Sequence, residues 1–479
     1  MKLTAEQELI LTTVRDTTDN LAIEARAGGA KTTTLVKIAE ALPDKSILAL
    51  AFNKKIAVEM TERLPANAES KTLNALGDKA IREFRGKYHK IEDKKCFEIL
   101  SSLIRQLDPE DQEEIYDRFA ETLQAIKSAK NEGYVPDGAH PMMRSLLDAS
   151  EFFAGLDEEP SELQQQIINK ALRISLKMAF EEGFLDFADQ IYISALHRSI
   201  SFPRYEVLLV DEAQDLSALN HTMLGKMVKG STRLIIVGDP CQAIYAFRGA
   251  DEESMSRLAQ RFDMKTLYLT VCFRCAPEIV ENVRWRAPDM TAFPTTPSGE
   301  VRRHDNWILS QIADGDAVIC RNNAPLFSLA VKLLGAGRSP ELFSGDIVPG
   351  LVKIMKKLGK QDIPCGEAKL ALADWKDKET ERSRSPGAVQ DKYECIMIFL
   401  DSNEKLGDAI RRIEEIAAMS GRIKLMTGHK SKGLEFDNVW FLDQQLCKPK
   451  GQDRNVKYVI ETRARRVLNY VESEKLTGV

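Results

Sequence analysis

The sequence predicts an α/β protein whose strands lie in parallel sheets. Three observations carry that prediction. Short, wholly apolar runs with polar ends recur along the chain. Helical patterning separates them, and strands buried on both faces that alternate with helices belong to parallel sheets. Residues 86–184 then change character: they are rich in Glu, Lys, Leu and Ile at helical spacing and read as a helical insertion.

The elements follow in order. The run Leu21–Ile23 ends in a loop of small residues, and TTTLVKIAEAL continues as a helix, giving strand, loop, helix. SILALAF (46–52) is a second buried strand. VLLVDEAQD (207–215) and RLIIVGDP (233–240) are two more, each with a polar end. TLYLT (266–270), DAVICR (316–321) and NVWFLD (438–443) are of the same kind. Residues 345–420 are mixed, and the charged stretch DWKDKETERSRSPG within them is expected to be an exposed loop. There is no internal repeat and no low-complexity tract.

Bulk properties narrow the function classes. At about 150 residues per domain, 479 residues make three or four domains. A hydrophobic share of 43% with 29% charged residues is that of an ordinary soluble globular chain. No apolar run approaches the roughly 18 residues that cross a bilayer. The start, MKLTAEQELILTTV, is acidic and amphipathic, unlike a signal peptide, so the expected compartment is the cytoplasm and no membrane partner is expected. A net charge of -5 excludes a blanket of positive charge but leaves room for a local basic track on nucleic acid. The eight cysteines are scattered as reduced thiols are. Cys272 and Cys275 have C-x-x-C spacing, but no second ligand pair accompanies them, and the spacing reads as incidental.

Six segments carry chemistry. In EARAGGAKTTT (24–34), small residues after a strand let backbone N–H groups close around phosphate oxygens, with a helix N-terminus behind them. Lys31 would reach the terminal phosphates, and the Thr32 hydroxyl would complete a magnesium shell. The pattern G-x-x-x-x-G-K-[ST] is not met in full, since Ala25 and Ala30 stand at the glycine positions and Gly28 and Gly29 lie between them. In VLLVDEAQD an apolar strand delivers Asp211 and Glu212 to its carboxyl end. Asp211 suits magnesium, and Glu212 suits a general base for the attacking water. The loop could be a plain helix cap and the acidic pair a plain turn, but the two together imply ATP hydrolysis. In VGDPCQAIYAFRGAD (237–251), Asp239 and Gln242 follow another strand, so Gln242 could sense the γ-phosphate. Tyr245 and Phe247 stand two apart and could hold flipped bases by stacking, unless both are core aromatics; such stacking is worth about 1–3 kcal/mol per base. Later come Arg274 in TVCFRCAPEIV and Arg463 in YVIETRARR, each a candidate to stabilise γ-phosphate charge or else a surface ion pair. In TGHKSKGLEFD (427–437), Gly433 permits a tight turn, Glu435 could bond a ribose hydroxyl, and His429 and Lys432 could touch phosphates.

The order of these segments resembles the UvrD/PcrA/Rep-like helicases of superfamily 1, in a compact, phage-type form. Gln7 in LTAEQ looks like that family's adenine-reading glutamine. EARAGGAKTTT resembles its motif I, which places Ala27, Gly28, Gly29, Ala30, Lys31, Thr32 and Thr33 around the nucleotide. LAFNKKIAVEM (50–60) resembles motif Ia, which puts Phe52 and Asn53 in the single-strand track. SKTLNALG (70–77) resembles motif Ib, with Thr72 and with Asn74 where His is more usual. LDFADQI (185–191) resembles the segment leading into motif II. VDEAQD and GDPCQAIYAFRGAD resemble motifs II and III, with Phe247 where Trp is frequent and Arg248 beside it. LTVCFRCAPEIV resembles motif IV: Phe273 would stack on adenine and Arg274 would be one arginine finger. MTGHKSKGLEFD resembles motif V, with His429 on the DNA and Glu435 on the nucleotide. KYVIETRARR resembles motif VI, which makes Arg463 the second finger.

The resemblance spans residues 3–466 and implies a P-loop NTPase of two RecA-like core domains, each with an inserted, mainly helical subdomain. The first core is expected at 1–85 and 185–265, with the insertion 86–184. The second is expected at 266–344 and 421–479, with a shorter insertion at 345–420. It further implies ATP and Mg2+, an ATP cleft between the cores, 3′-to-5′ travel on single-stranded DNA, action at single-strand/duplex junctions, and replication or repair proteins as partners. The chain ends soon after motif VI, leaving no expected room for an appended nuclease. Two other readings stay open: a translocase or protein-stripping motor that does not separate duplex alone, and a DNA-binding module whose ATP site is impaired by Ala30.

Overall fold

The apolar runs of the first part of the chain assemble a six-stranded sheet. Its strands are β1 (Leu21–Ala25), β2 (Ile47–Ala51), β3 (Ala68–Thr72), β4 (Val207–Val210), β5 (Arg233–Gly238) and β6 (Lys265–Leu269). They lie in the order β3-β2-β4-β5-β1-β6, and every neighbouring pair is parallel. The structure is a computed structural model and describes residues 3–245, 253–343, 345–383 and 385–478.

Alternation along the strands divides the core in two. Leu21, Ile23, Leu209, Ile235 and Val237 face one side, with Ile10 of the helix Ala5–Asp16 and Leu35 and Ile38 of the helix Lys31–Glu40. Ala22, Leu208, Val210, Leu234 and Ile236 face the other, with Leu76, Tyr192 and Met223 from three further helices. Because the strands are parallel, the carboxyl ends of the adjacent β4, β5 and β1 open on the same edge of the sheet, where ligands of such sheets bind.

The segment between β3 and β4 is largely helical. Ile99, Leu100, Ile126, Ala129, Phe152, Ile168 and Leu172 give it a core of its own. A two-residue parallel pairing of Lys90–Ile91 with Phe184–Leu185 draws its ends together.

A second six-stranded sheet holds β7 (Glu300–Arg303), β8 (Ala317–Cys320), β9 (Pro340–Leu342), β10 (Ile423–Thr427), β11 (Phe436–Leu442) and β12 (Ala464–Val471). Its order is β7-β12-β11-β8-β10-β9, again all parallel. Between β9 and β10 stand the helices Val348–Lys357, Cys365–Arg382, Pro386–Asp401 and Leu406–Ala418, whose Leu351, Leu372, Phe399 and Ile413 share a core with Val318 and Leu425 of the sheet.

One expectation fails here. The stretch DWKDKETERSRSPG is not an exposed loop through its length: residues 374–382 are the last turns of the helix Cys365–Arg382. Lys, Glu and Arg are good helix formers, and high charge alone does not break a helix. Lys378 pairs with Asp374 one turn earlier at 2.7 Å, and Trp375 packs against the core. The break comes only at Ser383, before Pro386 opens the next helix.

By contacts the chain divides into two units, Met1–Ala25 with Ala30–Leu269, and Arg26–Gly29 with Thr270–Val479. All eight cysteines are free and buried. No helix among the described residues is long and apolar enough to cross a membrane.

Candidate functional site

In the first unit, the ends of β4 and β5 and the start of the helix Lys31–Glu40 converge. Lys31 opens that helix, and its ammonium donates to Glu212 Oε2 at 2.7 Å. The Thr32 hydroxyl donates to Asp211 Oδ2 at 3.2 Å. Asp211 is 4% exposed, and its other oxygen accepts the Glu212 N–H at 2.9 Å. Glu212 has φ 52 and ψ 40, a left-handed backbone that turns the chain sharply at the strand end. Gln214 bridges onward: its Nε2 donates to Glu212 Oε2 at 2.5 Å, and its Oε1 accepts the Asp239 N–H at 3.0 Å. Asp239 in turn accepts from Gln242 Nε2 at 2.6 Å. Glu212 and Gln242, from two strands, thus belong to one hydrogen-bonded chain.

The electrostatics are lopsided. Burial pushes the Asp211 carboxyl up, the adjacent Glu212 charge adds to it, and the group rises to about 6. Burial works against the Lys31 charge, but Glu212, Asp211 and Asp239 outweigh it and hold the amine above its ordinary value.

The residue before Lys31 is Ala30, at φ 56 and ψ 38. This left-handed conformation is one that L-residues adopt at a cost of roughly 1–2 kcal/mol, and Ala30 adopts it with its Cβ in place. Gln7 is buried, closes a capping box with Thr4, and donates to Thr34 Oγ1 at 3.2 Å. Thr33 Oγ1 accepts from Arg63 at 3.1 Å.

The loop residues Arg26–Gly29 group with the second unit. The Ala27 N–H donates to the Tyr458 hydroxyl at 3.1 Å, and the Gly29 N–H closes a turn on Arg26 O at 2.9 Å. Gly28 has φ +71, and its carbonyl accepts the Phe273 N–H at 3.0 Å. A Cβ there would lie 2.7 Å from Arg274 Cβ and 2.8 Å from Cys272 Sγ, so this position admits only glycine. The Phe273 ring packs on Phe293 with centroids 4.7 Å apart. Arg274 pairs with Glu435 at 2.7 Å, while its Nη1 is buried without a hydrogen-bond partner among the described residues. Arg463 is 1% exposed and donates to the carbonyls of Val459 at 2.9 Å and Leu434 at 3.0 Å. His429 is half-buried on the short helix Gly428–Ser431.

A second feature of the first unit is a cavity of about 410 Å³ whose lining includes Phe52, Asn74, Lys127, Phe187, Asn220 and Tyr245. Phe52 and Tyr245 stack with centroids 5.9 Å apart and planes 10° from parallel. Asn53 and Thr72 cap the helices Lys54–Arg63 and Leu73–Arg85, accepting from Ile56 at 2.9 Å and Ala75 at 3.2 Å. Asn74 donates to the Phe187 carbonyl at 3.2 Å and to Gln190 Oε1 at 3.1 Å. Phe247 and Arg248 lie outside the described residues.

Residues 3–263 match the UvrD/REP helicase N-terminal domain. The chain belongs to the UvrD/REP helicase family. Across 95% of its length it is 26% identical to F-box DNA helicase 1 of Gallus gallus, covering 46% of that protein. It is 24% identical to the F-box DNA helicase protein 1 of Schizosaccharomyces pombe over 97% of its length and 57% of the relative's. The ATP-dependent DNA helicase PcrA of Staphylococcus epidermidis is 24% identical over 56% of this chain and 38% of its own length. The chain therefore spans about half the length of the two F-box helicases. Within the family, the two parallel sheets are RecA-like helicase domains.

UvrD-like helicases use ATP, generally with Mg2+, and the first-unit residues fit that pair. Thr32 and Asp211 offer hard oxygen donors 3.2 Å apart. The Asp211 carboxylate is costly to ionise where it stands, and a divalent cation removes that cost. Other participants were not legible in the sequence. Gln214 lies inside the DEAQD motif without a chemical signature of its own. Tyr458 and Phe187 had none either. Lys130 did carry a signal: it falls four residues after Ile126 on the apolar face of the helix Phe119–Glu132, where a charge must be neutralised.

Proposed function

We propose that this UvrD-like chain is an ATP-dependent DNA helicase that moves 3′-to-5′ along single-stranded DNA. The observation that supports this best is the constellation of Lys31, Thr32, Asp211 and Glu212 at the edge of a parallel sheet. In this reading Lys31 and the amides from Ala27 to Thr33 hold the phosphates of ATP, with Gln7 and Phe273 at the adenine and Glu435 at the ribose. Thr32 and Asp211 would hold Mg2+, which supplies positive charge to the phosphate oxygens when bound. Glu212 is the general base. Its carboxylate is held by Lys31 at 2.7 Å. A γ-phosphate competes for that ammonium and releases Glu212 to orient and deprotonate the attacking water. Gln242, joined to Glu212 through Asp239 and Gln214, reports the γ-phosphate to the strand end that leads to Tyr245. Arg274 and Arg463 stabilise the transferred charge.

The same reading assigns the cavity beside the Phe52–Tyr245 stack to bases of the single strand, with Asn53, Thr72, Asn74, Phe247, Arg248 and His429 along the track. Residues 86–184 and 345–420 are taken as insertions into the two cores, and the substrate is single-stranded DNA and its junctions with duplex. The deciding experiment is steady-state ATP hydrolysis with and without single-stranded DNA. Glu212→Gln is expected to lower DNA-stimulated turnover by roughly 100-fold or more while nucleotide binding persists. Undiminished turnover would remove Glu212 from the mechanism.

A second reading, a translocase that does not separate duplex alone, is favoured by the short second insertion, four helices within residues 348–418. Translocation with no strand displacement by the same preparation would select it.

A further inference from the structure

The helix Gln452–Glu461 leads directly into Thr462 and Arg463, and its last residue is a buried acid. Glu461 is 1% exposed. Both of its oxygens accept, Oε1 from the Tyr470 hydroxyl at 2.6 Å and Oε2 from the Trp285 indole N–H at 3.0 Å. Tyr470 lies on β12, and its hydroxyl accepts from Asn282 Nδ2 at 2.7 Å. The Lys457 ammonium stands 3.9 Å from Oε1 and 5.2 Å from the centre of the Trp285 ring. A carboxylate buried to this degree is costly, and an apolar side chain would fill the space without that cost. What distinguishes the carboxylate is the pair of donors it gathers.

Two of the groups gathered here come from the stretch that follows Arg274. Asn282 ends the helix Pro277–Asn282, and Trp285 lies just beyond it. Further bonds join the same stretch to the surroundings of Arg463. The Ala276 N–H donates to the Arg465 carbonyl at 2.9 Å, the Cys275 thiol donates to the Thr462 carbonyl at 3.6 Å, and Arg286 Nε donates to Asn455 Oδ1 at 2.9 Å. On the other side, the Arg463 guanidinium is held by the last turn of the helix that Glu461 closes, through the Val459 carbonyl at 2.9 Å, and by the Thr462 hydroxyl at 3.1 Å. Glu461 therefore stands in the seam between the segment that carries Arg274 and the segment that carries Arg463, within the second unit.

The donors decide how this acid titrates. An indole N–H only donates, so Oε2 serves as acceptor and a proton goes to Oε1. There the Tyr470 bond must reverse, on a hydroxyl that already accepts from Asn282. Burial pushes the Glu461 carboxyl up; the Tyr470 bond, Lys457, the Trp285 bond and Arg303 pull it down, and it comes to about 7. Arg303 acts across the Tyr470 ring, 4.1 Å from the ring centre. Burial and the Glu461 charge hold Tyr470 above its ordinary value. The Cys447 thiol, which feels the Glu461 charge, is pushed up to about 12 mainly by burial, so neither group ionises near neutrality.

We propose that Glu461 is a positioning residue for ATP hydrolysis: its carboxylate, clamped by Trp285 and Tyr470, sets the Arg274 segment against the Arg463 segment so that the two guanidiniums keep one fixed relation. The proposal rests on the reading of Arg274 and Arg463 as the groups that stabilise the transferred charge.

The test is steady-state ATP hydrolysis by the full chain with saturating oligo-dT, from about pH 6 to about pH 8.5. Glu461→Gln keeps the shape and one acceptor but carries no charge. It is expected to lower kcat roughly 10- to 100-fold, with a smaller change in KM for ATP. Wild-type kcat is expected to rise with pH through about 7, and the variant to lose that rise. Trp285→Phe and Tyr470→Phe each remove one donor to the carboxylate, so each is expected to lower kcat and to move the rise to higher pH, which a merely structural role would not do. In an Arg274→Ala background Glu461→Gln is expected to have little further effect, because it acts through the arginines. Wild-type kcat in Glu461→Gln, an unchanged rise near pH 7 in that variant, or an equal loss in both backgrounds overturns the proposal. Thermal unfolding by circular dichroism accompanies each variant. Should Glu461→Gln not fold, Trp285→Phe carries the test, and an unshifted rise overturns the proposal. If Arg274→Ala and Arg463→Lys lower kcat and Glu461→Gln does not, the reading of the arginines stands and this inference falls; if neither arginine matters, both fall.

Discussion

Asp211→Asn is expected to stabilise the first unit while destroying its proposed magnesium ligand. Asp211 is buried beside Glu212, and its carboxyl rises to about 6 in the folded chain from an ordinary 3.8. A carboxyl whose folded value is raised binds its proton more tightly folded than unfolded. Its contribution to stability is therefore complete below pH 3.8 and is lost as pH climbs through 6. The gap corresponds to roughly 3 kcal/mol lost above pH 7, and relaxation around the site makes about 1–3 kcal/mol the working range. Asparagine keeps the shape and one acceptor but does not titrate. The assay is urea denaturation by circular dichroism from pH 4 to pH 8, in buffer without nucleotide or divalent cation. Wild type and variant should agree near pH 4, diverge between pH 4 and pH 6, and stay apart above. All four tryptophans lie in the second unit, so their fluorescence supplies an internal reference that the substitution should leave in place. A pH-independent difference, or a variant less stable at pH 8, would refute the electrostatic account of the site.

Three shorter predictions follow from the same geometry. Ala30→Gly should stabilise the chain by about 0.5–1 kcal/mol in urea denaturation, since the left-handed cost of alanine exceeds the entropy that glycine gives the unfolded chain; a loss of stability would contradict the backbone assignment. Gln214→Ala removes the link between Glu212 and Asp239 and should lower kcat for ATP about 10-fold or more, with a smaller change in KM, because it disturbs the base and leaves the phosphate loop intact. Tyr245→Ala removes the ring stacked on Phe52 and should cost about 1–3 kcal/mol of single-strand affinity by anisotropy.

The parallel sheets were legible because their strands are buried on both faces, and such runs as Leu208–Val210 and Leu234–Val237 have few other uses. The edge strands β3, β7 and β9 and the interior strands β10 and β12 were not read from the sequence, because AESKT, EVRR, IKLMT and ARRVLNYV interrupt their apolar residues with polar ones. Charge misled at 374–382, where helix propensity outweighed polarity. At the site, Lys31, Thr32, Asp211 and Glu212 could be named from the ends of their strands, since parallel pairing brings those ends to one edge. The role of Glu461 could not, because its partner Trp285 lies far away in the chain.

The two buried charge clusters of the first unit use the same residue types and shift a carboxyl in opposite directions. Lys95, Lys130, Asp186 and Asp189 balance two against two, and Asp186 falls to about 2. Lys31 pairs with Glu212 beside Asp211 and Asp239, and Asp211 rises to about 6. A balanced buried cluster gains nothing from a further ion and serves to hold a shape. A buried carboxyl pushed up to about 6 is costly to ionise, so it favours a proton or an added positive charge at that point. Asp211→Asn discharges one cluster and Lys130→Met unbalances the other. The first should therefore gain stability and lose function, while the second should lose stability. That opposition in sign separates a site built to bind charge from one built to keep the turn between Asp186 and Asp189 in place.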